Sequence, residues 1–79
     1  VNPESHKAYH YRGDCHRHKG EFAKAINDYT QAIRLNSGHA KGYWGRGLAY
    51  ADAGAFEKAI VDYTEALRLN PQDYGPFGK

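Results

Sequence analysis

The chain repeats itself with a period of 34 residues. Aligned without a gap, residues 6–39 and 40–73 are identical at 16 of 34 positions, whereas average composition gives about two matches by chance. A fixed period of this length indicates stacked supersecondary units, each of which buries its apolar face against a neighbour. Such stacks present an extended surface, which favours binding over catalysis.

The residue pattern of each unit predicts a helix, a short turn and a second helix. In the second half of the first unit, apolar residues occupy positions 22, 25, 26, 29, 32, 33 and 35, and the next unit repeats this spacing, which is typical of one apolar helix face. Gly20 and Gly54 follow the expected ends of the first helices, as glycine caps do. Pro71 ends the last helix. The sequence therefore predicts helices over 4–18, 22–35, 40–53 and 56–69.

Two further glycines, Gly13 and Gly47, fall inside the predicted first helices. Each costs about 1 kcal/mol relative to alanine in a helix, so a packing reason is needed. We expect that the missing side chain lets the second helix of the same unit approach closely, at Ala25 and Ala59 respectively.

A fixed set of residue types recurs at the same places in both units. In the first unit these residues are Tyr9, Gly13, Gly20, Phe22, Ala25, Tyr29 and Ala32, and a position held by His16 has the aromatic Tyr50 in the second unit. The pattern resembles the tetratricopeptide repeat and covers residues 6–73. The resemblance implies an all-α solenoid of two antiparallel helix-turn-helix repeats, a fragment of a right-handed superhelix. Ser37 stands where the family has proline, and Arg12 and Arg46 stand where many members have leucine.

The chain of 79 residues is expected to form one small domain. Because Asn2-Pro3 is in register with Asn70-Pro71, we expect a fragment of a longer array, or a short array that leans on a partner. The predicted parts are a lead or the end of a preceding repeat at 1–5, repeats at 6–39 and 40–73, and a short tail at 74–79.

The resemblance also implies where a partner binds, because the first helices of successive units line a concave groove in this family. The implied groove residues are Lys7, His10, Tyr11, Asp14, Arg17, His18, Lys41, Trp44, Leu48 and Asp52, together with Gly45 and Ala51. This mixture suits an extended or helical peptide that has one apolar anchor and an acidic neighbour. We expect Trp44 to be the principal contact, and packing between helices is its alternative role.

An alternative function is self-assembly. The last predicted helix is expected to leave Ile60, Tyr63 and Leu67 uncovered, and exposed apolar patches favour association. A homo-oligomer formed end to end, or by exchange of a helix pair, is therefore the second hypothesis.

A histidine stripe is the third feature to weigh. His6, His10, Asp14 and His18 are spaced by four residues, and two histidines at this spacing can chelate Zn²⁺ or Ni²⁺. The second unit has no matching stripe, so we interpret it as a polar wall of the groove. A metal- or RNA-binding variant is the least favoured alternative, and we expect no cofactor.

Composition excludes several classes of protein. A net charge of +2 is too small to indicate a nucleic acid or membrane partner, and no apolar run approaches the roughly 20 residues of a membrane span. The single cysteine, Cys15, cannot form an internal disulfide and is expected to be a small buried thiol like Ala49 at the same repeat position. No nucleophile has a base and an orienting group at recognisable spacing, so we expect no enzyme. The compartment is not fixed, with the cytoplasm as the default.

Overall fold

The structure, a computed structural model, describes residues 5–70. It contains four α-helices and, within these residues, no strand. The helices are α1 (His6–His18), α2 (Phe22–Leu35), α3 (Ala40–Asp52) and α4 (Phe56–Leu69). The predicted all-α architecture of two helix-turn-helix units is confirmed. The expectations for residues 1–4 and 71–79, including the helix stop at Pro71 and the short tail, lie outside the described residues.

Local chemistry sets the helix ends. Helix α1 begins two residues later than predicted, because Ser5 has extended backbone angles and its hydroxyl accepts a hydrogen bond from the Ala8 amide at 3.2 Å. Helix α3 ends one residue early, at Asp52. Gly20 and Gly54 have φ angles of +82° and +87°, the left-handed conformation that glycine adopts at little cost. The two predicted turns after the first helices are therefore present.

The helices pack in the order of the chain. Each first helix packs along its own second helix, α3 also lies against α2, and α1 touches α3 over a shorter stretch. The core centres on the fully buried ring of Tyr29, which lies in a cluster with Ala25 and Ala49. Because α3 covers one side of α2, the two repeats form one continuous stack.

Glycines give the core its close approach. A Cβ atom on Gly13 would lie 2.9 Å from the Tyr29 ring, which is the side chain nearest to this glycine. A Cβ on Gly47 would lie 2.7 Å from the Tyr63 ring and 3.3 Å from the Ala59 carbonyl oxygen. Each glycine therefore receives the ring of a tyrosine of the second helix, and Gly47 also lies close to Ala59 as predicted.

A repeated ion pair joins the two helices of each unit. Arg12 donates to both oxygens of Asp28 at 3.0 and 2.7 Å, and Arg46 donates to both oxygens of Asp62 at 2.8 Å. Both aspartate side chains are only 4% exposed, and a buried carboxylate of this kind needs its partner. The arginines that depart from the family pattern therefore have a structural role within each hairpin.

Cys15 is exposed, so the prediction of a buried thiol is wrong. Its counterpart Ala49 is fully buried because α3 packs against α2. No helix among residues 5–70 packs against α1 in the way that α2 packs against α3, and Cys15 faces outward for that reason.

None of the four helices is both long enough and apolar enough to cross a lipid bilayer.

Candidate functional site

A cleft of about 260 Å³ lies between α1 and α3. Its walls come only from the first helices of the two repeats, and each contributes one face. The lining residues are His10, Asp14, Arg17, Lys41, Trp44, Gly45 and Leu48. All seven belong to the set that the sequence pattern implied for the groove, so the fold brings them together.

Trp44 and Leu48 form the apolar side of this cleft. The Trp44 ring packs on the Tyr63 ring, with centroids 4.7 Å apart and planes tilted by 46°. The indole is half-buried, so it packs between helices and still lines the cleft. The packing between helices is therefore observed, and the role of Trp44 as a partner contact stays a prediction.

The hydroxyl of Tyr29 connects the core to the cleft. It donates a hydrogen bond to Asp14 and accepts one from Arg17 Nε at 3.2 Å. Burial, and then the bond to Asp14, raise the pKa of Tyr29 to about 12, so the hydroxyl stays protonated. Asp14 and Arg17 are held in place by this bond, which leaves a fixed acid and a fixed cation on the α1 wall.

The sequence pattern predicted only a packing role for Tyr29. Its counterpart in the second unit is Tyr63, and that unit has no residue equivalent to Asp14 or Arg17. The only available signal was that Asp14 and Arg17 are peculiar to the first unit.

Three histidines meet next to the cleft. The His39 ring lies 4.8 Å from the His6 ring and 5.2 Å from the His10 ring, edge to face in both cases. Burial, followed by the positive groups around it, lowers the pKa of His39 to about 4. Burial also lowers the pKa of His10, against the opposing effect of Asp14. The two imidazoles are therefore neutral at physiological pH.

His39 was not predicted as a site residue, because it precedes α3 in the connection between the repeats. A smaller cavity of about 130 Å³ borders it, lined by Lys7, His10, Tyr11, His39 and Lys41. Nε2 of His39 and Nδ1 of His10 are buried without a hydrogen-bond partner among residues 5–70. Nothing in the residue pattern marks these unpaired nitrogens.

In a comparison with protein families, the family model described as tetratricopeptide repeat matches residues 19–74. The chain belongs to the tetratricopeptide repeat family. Members of this family generally serve as modules of protein interaction and scaffolding rather than as enzymes, and they typically bind protein partners. A search of curated proteins finds no match.

The remaining implied groove residues of this tetratricopeptide repeat chain lie apart from the main cleft. Lys7 and Tyr11 line the smaller cavity beside it. His18 and Asp52 are exposed at the ends of α1 and α3, and Ala51 is half-buried there. None of these last three lines a cavity that the structure describes around the groove.

The histidine stripe does not assemble a metal site within residues 5–70, where no group of three His, Cys, Asp or Glu side chains could hold an ion. His10 Nε2 lies 3.4 Å from Asp14, and His6 contacts His39 instead of its neighbour along the stripe. His6 and His10 both contact His39, and His10 also pairs with Asp14, so the stripe makes ring contacts and one ion pair.

The face of α4 that points away from α3 is apolar and uncovered by the described residues. Ile60 is 61% exposed and Leu67 is 36% exposed, whereas Tyr63 is half-buried. The corresponding Ile33 and Tyr29 of α2 are 8% and 0% exposed. The difference arises because α3 covers α2.

Proposed function

We propose that this tetratricopeptide repeat domain is a non-enzymatic interaction module that binds an acidic peptide segment in the cleft between α1 and α3. The peptide inserts one aromatic or aliphatic side chain against Trp44 and Leu48. The observation that carries the proposal is the cleft itself, because it joins an apolar wall to fixed charges in a space of about 260 Å³.

The apolar wall supports an anchored partner. Trp44 is the only tryptophan of the chain, and tryptophan is among the residues that most often dominate interface energies. Its contact with Tyr63 holds the ring in one orientation. A ring that is already ordered loses little conformational entropy when it binds.

The charges support an acidic partner. Lys41 and Arg17 line the cleft, Lys7 lines the cavity next to it, and Asp14 is the only acid among these lining residues. Among residues 5–70, Lys7 and Lys41 form no ion pair with a carboxylate. Carboxylates of a peptide would give these ammonium groups partners and speed the encounter.

The test is selection of binders from a random peptide library displayed on phage, with the intact domain as bait. Enriched peptides should combine one large apolar residue with Asp or Glu. Their synthetic versions should change the fluorescence of Trp44 on titration. Trp44→Ala should weaken them by roughly 2 kcal/mol, about 30-fold.

Matched charge variants show whether the cleft is the site. Lys41→Glu should weaken the selected peptides, whereas Lys24→Glu, an equal change on the exposed side of α2, should not. Circular dichroism must first show that Trp44→Ala is helical. Peptides that bind Trp44→Ala and Lys41→Glu as tightly as the parent domain would refute the proposal.

A further inference from the structure

The small cavity beside the cleft is lined by cationic and imidazole groups. It has a volume of about 130 Å³, and its lining residues are Lys7, His10, Tyr11, His39 and Lys41. His10 and Lys41 also line the cleft, so the two spaces share a wall. A group that binds in the small cavity can therefore belong to the same ligand as a group that binds in the cleft.

The two lysines give this cavity a positive charge that its lining does not balance. Lys7 and Lys41 are the second residues of α1 and α3, and neither forms an ion pair with a carboxylate among residues 5–70. The first turns of both helices contain no acidic residue. Asp14, which pairs with His10, lines the cleft and not the small cavity. An anion in the cavity would therefore meet two ammonium groups and no lining carboxylate.

The two histidines of the cavity have unpaired nitrogens. Nδ1 of His10 and Nε2 of His39 are buried and have no hydrogen-bond partner among residues 5–70, and the two rings lie 5.2 Å apart. A buried polar atom without a partner is destabilising, so a ligand that supplies partners removes this penalty. Nε2 of His10 lies 3.4 Å from Asp14. In the tautomer that donates to Asp14, Nδ1 becomes a donor when the ring is protonated, which a bound anion favours.

A phosphoryl group suits these donors better than a carboxylate does. A phosphorylated side chain has a charge of about −1.5 to −2 at pH 7 and three acceptor oxygens, enough for both ammonium groups and one imidazole. A carboxylate has one charge and two oxygens. A volume of about 130 Å³ equals that of about four water molecules, which is room for one phosphoryl group. A net charge of +2 is too small to favour a polyanion such as a nucleic acid.

We propose that the cavity lined by Lys7, His10, His39 and Lys41 binds the phosphoryl group of a phosphorylated side chain in a peptide partner. The lysines act as point charges beside the phosphate oxygens, and the imidazoles donate to the remaining oxygen. That the phosphate belongs to a peptide rests on the function proposed above. The phosphate site itself does not, because Trp44 and Leu48 are not among the residues that line this cavity.

A bound phosphate should raise the pKa of both imidazoles. Burial lowers the pKa of both rings, that of His39 to about 4, and nearby cations add to the effect. An anion next to the rings favours their charged form. The groups that face the two rings are His6, Lys7, Asp14 and Arg17 of α1, Tyr29 of α2 and Lys41 of α3.

Titration with inorganic phosphate tests the site without a peptide. At about pH 7.5, phosphate should shift the ring NMR resonances of His10 and His39, and saturating phosphate should raise the pKa read from them. The exposed His18 should show neither change. Acetate at equal ionic strength should bind about tenfold more weakly, because it has one charge and two oxygens.

Variants separate the phosphate site from the cleft. Lys7→Gln, a change at an exposed residue, should weaken phosphate about fivefold, and the matched Lys24→Gln on the exposed side of α2 should not. Trp44→Ala, once shown to be helical, should bind phosphate like the parent chain. Phosphate binding that depends on Lys7 in a chain that selects no peptides would support the site and refute the function proposed for the cleft.

The peptide source of the phosphate is tested with the peptides selected above. Replacing one acidic residue by phosphoserine should tighten binding about tenfold, and Lys7→Gln should remove most of this gain. Trp44→Ala should weaken the phosphorylated and unphosphorylated forms by the same factor.

Three results would overturn the proposal. The first is an equal effect of phosphate and acetate on the two histidine rings, and the second is equal phosphate binding by Lys7→Gln and the parent chain. The third is displacement of phosphate by a polyuridine oligonucleotide at lower concentration than by any phosphopeptide, since a nucleic acid would then be the ligand.

Discussion

Mild acid should destabilise this domain through His39. The pKa of this imidazole is lowered from an ordinary 6.5 to about 4, first by burial and then by His10, His6 and the two lysines next to it. Between these pKa values the unfolded chain binds a proton that the folded chain does not. The free energy of unfolding therefore falls as the pH drops through 6.5, and the loss is complete near pH 4.

The size of the effect follows from the pKa values. From pH 6.5 to about pH 5, 1.5 units at 1.36 kcal/mol per unit give about 2 kcal/mol. Water reaches part of the ring, and screening reduces the expected loss to about 1 kcal/mol. His10, whose pKa is also lowered, acts in the same direction. Glu21 and Glu65, whose pKa values are also lowered, contribute little above about pH 5.

Urea unfolding followed by circular dichroism at about pH 7.5 and pH 5 measures this loss. His39→Phe keeps an aromatic ring among the histidines and removes the titrating group, so its stability should change less between the two pH values. His18→Gln, on an exposed residue, should keep the full dependence. The reasoning fails if His39→Phe and the parent chain lose the same free energy.

Three further predictions concern packing and exposure. Gly45→Ala should lower the free energy of unfolding in a urea titration by about 1–3 kcal/mol, because its methyl group overpacks the ring of Tyr29. Gly38→Ala should be close to neutral in the same titration, because its Cβ would have no neighbour closer than 3.8 Å. Arg46→Leu should cost more than Arg12→Leu by chemical denaturation, since Arg46 is 21% exposed against 59% for Arg12 and also bonds to the adjacent repeat; equal losses would contradict this. Cys15 should react with a thiol reagent in the native state as fast as in urea, and protection from the reagent would refute its exposure.

Most of the fold could be predicted from the period of 34 residues. Helix positions, turn glycines and the pairing of units all follow from residues that recur, because recurring residues are those on which the packing depends. Cys15 shows the limit of this reasoning. Its repeat position predicts burial from Ala49, yet burial there depends on a neighbouring helix, which α3 has and α1 lacks among residues 5–70.

The cleft was predictable only in outline. The family resemblance placed Trp44 and Lys41 on one surface, because first helices stack side by side. It could not find His39, which lies in a connection between the repeats, or the hydroxyl of Tyr29, which crosses from the core to α1. Contacts of this kind depend on how far each side chain extends, which the spacing of residues in the sequence does not predict.

The hydrogen bond between Tyr29 and Asp14 has a consequence for how the specificity of this domain can change. On the proposed function, Lys41 and Leu48 line the cleft from α3 and could be exchanged to suit a new partner with modest effects on the core, whereas Trp44 also packs on Tyr63. Replacing Asp14 would leave a buried phenol without its acceptor, and such a loss destabilises the fold. Variation toward new partners is therefore expected to run through the α3 wall, while the α1 wall stays constrained by the stability of the domain.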